Sequence, residues 1–103
     1  MARVAVICPD LLFGSKLQGM LAAAGHEVVP PGAAADAQVV DLTADVEDRL
    51  AQAAAAGLPT LAFYSHVEVE VRRAAEAAGV DKVVPRSRMA REGAGLLDSL
   101  LPA

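Results

Sequence analysis

Several things are scarce in this sequence, and each scarcity excludes something. There is one cysteine, Cys8, so no internal disulfide can form, and a reducing compartment is expected. The two histidines, His26 and His66, lie far apart with no cysteine beside either, which gives no zinc-ligand spacing. No apolar run approaches the ~18 residues that span a bilayer, and the Met-Ala-Arg-Val start reads as a strand rather than a signal peptide. A cytoplasmic protein without membrane contact is the expectation. Basic charge is also short: nine Lys and Arg against thirteen Asp and Glu give a net charge of −4. Nucleic acid is therefore not an expected partner, because phosphate binding needs a basic surface. Lys82, Arg86, Arg88 and Arg91 do cluster within ten positions, a pattern that reads as a solvated face. Only three aromatics, Phe13, Phe63 and Tyr64, are present.

What the chain has in abundance is small apolar surface: 54% of its residues are hydrophobic, and 23 are alanine. A chain of 103 residues is expected to form one domain over 1–103 with a single core. Built from alanine and branched aliphatics, that core predicts helices lying close to a sheet.

The apolar patterning alternates between two templates. Residues 3–8, Arg-Val-Ala-Val-Ile-Cys, form a continuous apolar run of the kind found in buried parallel strands, stopped by Pro9. Asp10 is placed to cap a helix carrying Phe13, Leu17, Met20, Leu21 and Ala24 at helical spacing up to Gly25. Residues 26–29 give a short second strand. Pro30-Pro31-Gly32 and the alanines after it can neither extend that strand nor begin a long helix, so any crossover helix there should be vestigial. A third strand is predicted over 38–42. From about Asp45 a helix with an acidic first turn should bury Val46, Leu50, Ala53 and Ala54 and end at Gly57. Residues 60–64 form a fourth strand. Ser65 and Glu68 then read as a capping box, opening a helix with Val67, Val71, Ala74, Ala75 and Ala78 on its inner stripe. Residues 81–84 are a fifth strand cut off by Pro85, and a last helix, loosened early by Gly93 and Gly95, carries Met89, Leu96, Leu97 and Leu100. Strands separated by helices imply right-handed βαβ units. The predicted fold class is α/β: a three-layer, doubly wound five-stranded parallel sheet of order 2-1-3-4-5, with a shortened second helix and with the first and last helices on one face.

In such sheets the chemistry gathers outside the carboxyl ends of the strands. There the sequence puts Asp10, Asp41 and Thr43, Ser65 and His66, and Arg86 and Ser87. Ser65 beside His66 makes no nucleophile pair, since adjacent residues at a helix start point apart and no orienting acid follows. The first loop lacks the glycine spacing of a P-loop or dinucleotide fingerprint.

Asp36-Ala37-Gln38-Val39-Val40-Asp41 resembles the third strand of response-regulator receiver domains with its phosphoacceptor aspartate. Ser65 resembles the hydroxyl residue closing strand four of that family, and Gly79-Val80-Asp81-Lys82-Val83-Val84-Pro85-Arg86 resembles its strand-five segment. The resemblance implies a flavodoxin-like signalling domain, bacterial and cytoplasmic, with Asp41 at the acceptor position and Arg86 at that of the receiver's lysine. It also marks departures. Where receivers carry an acidic pair that holds Mg²⁺, this chain has Cys8 and Pro9, leaving Asp10 and Asp41 as the metal candidates. Phosphoryl transfer to a carboxylate needs that metal to neutralise the phosphoryl oxygens. Val83 takes the place of the switch aromatic.

The expectation is a silent, non-enzymatic receiver-like interaction module with no cofactor. A protein partner or a second copy would dock on the last two helices and strand five, giving a homodimer in the second case. Two alternatives remain: a small-anion or nucleotide binder using Asp41, Thr43, Ser65, Arg86 and Ser87, and a true phosphoacceptor at Asp41 with Asp10 alone anchoring Mg²⁺.

Overall fold

A computed structural model describes residues 2–65 and 69–101. Five strands and four helices alternate along these residues: β1 (Arg3–Ile7), α1 (Leu11–Ala23), β2 (Glu27–Val29), β3 (Ala37–Asp41), α2 (Val46–Ala56), β4 (Thr60–Tyr64), α3 (Val69–Ala77), β5 (Lys82–Pro85) and α4 (Arg86–Asp98). All pairings are parallel and the order is β2-β1-β3-β4-β5, as the patterning predicts.

The sheet separates two cores. Val4, Val6, Val39, Leu61 and Phe63 point to one face, where Phe13, Leu17 and Leu21 of α1 meet Met89, Leu96 and Leu97 of α4. Ile7, Val40 and Ala62 point to the other, covered by Leu50 and Ala53 of α2 and Ala75 of α3. Asp10 caps α1 as expected, its Oδ1 accepting the Phe13 N–H at 3.0 Å. At the far end of the first face His26 is buried between two partners. Its Nδ1 accepts the Ala2 N–H at 3.2 Å, which leaves Nε2 to donate to Asp98 of α4 at 2.7 Å.

Three details depart from the sequence reading. Gly93 and Gly95 do not loosen α4, which runs unbroken to Asp98. Gly93 is instead the close-approach point of the helix pair: a Cβ there would lie 2.9 Å from Met89 Cε and 3.2 Å from Met20 Cε. Ala54, Ala74 and Ala78 are exposed, and of the alanines in those stripes Ala53 and Ala75 alone are buried, because helices packed over a sheet on one side bury a narrower stripe than alanine's neutrality suggests. Asp45 precedes α2 in a left-handed conformation (φ 51°) and gives the helix no side-chain cap. Arg86 and Ser87, which follow β5 as expected, stand in the first turn of α4, since Pro85 closes β5 and also serves as the helix N-cap residue. The Ser65–Glu68 capping box and the inward placement of Val67 fall partly on residues 66–68, outside the described residues, as does His66.

Between β2 and β3, residues 30–36 form turns and bends without a helix, as Pro30-Pro31-Gly32 dictates. The crossover is tied to β1 at its end by Asp36, whose N–H donates to the Arg3 carbonyl and whose Oδ2 accepts the Arg3 N–H, both at 2.8 Å.

Candidate functional site

Parallel register aligns the strand ends: Ile7 lies beside Val40, Asp41 beside Phe63, and Tyr64 beside Pro85. The chain leaving each strand there supplies the predicted residues, and they fall into two linked groups.

The first group is built on Asp41, which is only 3% exposed. A buried carboxylate must find its hydrogen bonds within the protein. Thr43, two residues on, donates both its N–H, at 2.7 Å, and its hydroxyl, at 2.6 Å, to Oδ1. This closes a tight Asx-type turn at the strand end. Oδ2 faces Arg49 of α2, whose Nη1 lies 3.4 Å away and also donates to the Asp41 carbonyl at 2.9 Å. The other end of that guanidinium, Nη2, reaches Asp45 Oδ2 at 3.5 Å. The same oxygen of Asp41 receives a weak S–H bond from Cys8 at 3.7 Å. Burial first, and the Asp41 carboxylate second, push the Cys8 thiol up to about 11, so it stays protonated and unreactive at neutral pH.

The second group joins opposite ends of the chain. Asp10, its Oδ1 engaged as the α1 cap, turns Oδ2 to Arg86 Nη2 at 3.4 Å. The Phe13 N–H in the first place, and then the Arg86 charge, hold the Asp10 carboxyl below its ordinary 3.8. Arg86 is fixed from below as well, with its guanidinium carbon 4.4 Å from the centroid of the Phe13 ring, which tilts against Phe63 at 5.0 Å. Cys8 links the two groups, its thiol lying between Asp41 and the Asp10 carbonyl, which it meets at 3.9 Å.

The structure thus brings Asp41 together with Thr43, and Asp10 with Arg86. Ser65 and Ser87 follow β4 and β5 at the same end of the sheet, exposed and with no side-chain hydrogen bond among the described residues. Among the described residues no three His, Cys, Asp or Glu side chains gather into a metal-binding group. Sequence reasoning missed Arg49. Its sole signal was the Asp45/Arg49 spacing of four, which marks an ordinary helix-surface ion pair and gives no hint that the guanidinium reaches back to the strand end.

Structural comparison assigns this architecture to the receiver-domain fold of response regulators. The chain is similar to the receiver domain of the Francisella response regulator 1452 (TM-score 0.81, 12% identity, 97% of this chain and 96% of that one). It is similar to the non-phosphorylated HemR receiver domain of Leptospira biflexa (TM-score 0.81, 18% identity, 100% and 96%). It also matches the phosphorylated cyanobacterial phytochrome response regulator RcpA (TM-score 0.77, 14% identity, 99% of each chain). No family model and no curated protein sequence matches the chain. No helix among the described residues is long and apolar enough to cross a membrane.

Proposed function

We propose that this chain is a receiver-fold signalling module that works by protein–protein contact, with the acceptor-position carboxylate neutralised by its own Arg49 instead of by Mg²⁺ and a phosphoryl group. The observation that carries this is the Asp41 environment. Both lone-pair regions of Oδ1 are taken by Thr43, and Oδ2 is faced by a guanidinium that also grips the Asp41 main chain. A carboxylate oxygen must be free to attack phosphorus, and a divalent ion must sit beside it. The donor set does not fit that ion: Cys8 and Pro9 replace the carboxylates a receiver would supply, the thiol keeps its proton, and Asp10 is already shared between a helix cap and Arg86. No catalysis is ascribed to the module.

Its partner surface is the face made by α3, β5 and α4. Charges of both signs occur there, and Arg72–Glu76 and Arg88–Glu92 are paired along their own helices at 3.9 and 3.3 Å. Such surface pairs contribute little to folding and can be exchanged for pairs across an interface, so a second copy of the chain or an acidic–basic partner is the occupant that matches. The anion-binding reading is weaker, because Arg49 and Arg86 are already engaged by Asp41, Asp45 and Asp10.

The test is intact-mass measurement after incubation with acetyl phosphate and Mg²⁺, alongside sedimentation of the untreated protein at low and high salt. The expected result is no phosphoryl adduct and salt-sensitive association. A stable adduct on Asp41 would overturn the reading.

A further inference from the structure

Opposite the Asp41 end of the sheet, where β4 and β5 begin, a cavity of about 420 Å³ opens between the ends of α2 and α3. This lies within the roughly 300–1,000 Å³ typical of small-molecule sites. Leu50, Ala53, Leu58 and Val80 give it apolar surface, and Asp81 is the one charged residue that lines it. No Lys or Arg is among its walls.

Three negative features converge on this cavity. Asp81 Oδ2 accepts the Thr60 N–H at 2.7 Å, which holds the carboxylate against the start of β4, and Asp81 enters no ion pair among the described residues. Both neighbouring helices also end here. Ala54 and the C-cap Gly57 of α2 line one side, and Ala78 and Gly79, which follow the last turn of α3, line the other. Each helix end carries about half a negative elementary charge, and neither helix has a basic residue in its last turn to offset it. One carboxylate does not make a divalent-metal site, since such ions gather several oxygen ligands. A single cationic group on an apolar stem matches both the charge and the walls.

We infer that the cavity between the ends of α2 and α3 is a binding site for a small organic ammonium, a primary amine on a short apolar body, with its charge set against Asp81 and the two helix ends and its stem against Leu50, Leu58 and Val80. The site lies at the other end of the sheet from Asp41 and does not depend on whether Asp41 is phosphorylated.

The experiment uses 2-phenylethylamine and 2-phenylethanol as matched probes, alike in shape but for the charge, followed by backbone-amide shifts of the full 103-residue chain at neutral pH and low salt. The amine is expected to give saturable shifts at Gly57, Thr60, Gly79 and Asp81, and the alcohol to bind about fivefold more weakly, the scale of a lost surface charge pair. Asp81→Asn keeps an oxygen for the Thr60 N–H and removes the charge, and should weaken the amine about fivefold while leaving the alcohol unchanged. Ala54→Phe, which fills the cavity from an exposed helix position, should abolish binding of both without lowering the melting temperature. Four outcomes would overturn the inference: no saturable shift, equal affinity for the two probes, amine binding that survives both variants, or shifts confined to other surfaces.

Discussion

One face of the sheet is sealed and the other is not. Over β1, β3 and β4 the pair α1 and α4 lays Phe13, Leu17, Leu21, Met89 and Leu97 into one continuous core and draws the two helices together at Gly93, while His26–Asp98 pins their far ends. The opposite face has Leu50, Ala53 and Ala75 from α2 and α3, and bare chain where a further helix would lie. The first face is the scaffold. The second has an open groove, and its helix α2 reaches over the strand end to put Arg49 on Asp41. The difference teaches that alanine-rich helices do not fail to pack: they pack with less to lose, and leave room for other roles.

Truncating the scaffold should have the largest effect. Leu17→Ala is expected to cost about 3 kcal/mol and Leu50→Ala about 2 kcal/mol, because the partly open α2 side can relax or admit water where the closed side is left with a cavity. Urea titration followed by circular dichroism measures both, and equal costs would erase the distinction between the faces.

Arg49→Ala is expected to lose about 2 kcal/mol, since it strands a buried carboxylate. Most of that cost should vanish when Asp41→Asn is made in the same chain, because the amide needs no counter-charge. A double-mutant cycle with additive costs would mean that the 3.4 Å contact carries no energy.

The glycines of α4 sharpen the comparison on a smaller scale. Gly95 has open space where a Cβ would stand, so Gly95→Ala should stabilise by about 1 kcal/mol through helix propensity alone. Gly93→Ala gains the same propensity but must push aside Met89 and Met20, and should come out near zero. The smallest effect is expected at Asp10. Its carboxyl is held below 3.8, so its charge supports the fold above that pH, and the support is lost as pH falls through the depressed value. Asp10→Asn keeps the helix cap and removes the charge. Wild type should therefore lose its advantage over this variant below pH 3.8, as paired acid titrations would read.

Much of this was legible in the sequence for local reasons. Pro9, Gly25, Gly57 and Pro85 punctuate the chain at the element ends, β-branched runs mark the buried strands, and Pro30-Pro31-Gly32 foretells the missing helix. Asp41 and Thr43 could be paired from their spacing, because an Asx turn is a short-range contact. The inner alanines could not be told from the outer ones, since alanine carries little burial signal of its own. The helix through Gly93 was also misread, because its reason is a methionine on another element.

By itself, then, the sequence determined the order of strands and helices, the parallel sheet and the end of it where Asp10, Asp41 and Arg86 collect, all consequences of local conformational preference and apolar period. Tertiary structure alone decided that Arg49 spends its charge on Asp41, that Arg86 closes on Asp10 across 76 positions of chain, and that Gln38 ties β3 to Ala53 of α2 and Thr60 of β4. Those contacts depend on where separate elements come to rest in space, and no spacing along the chain encodes that distance.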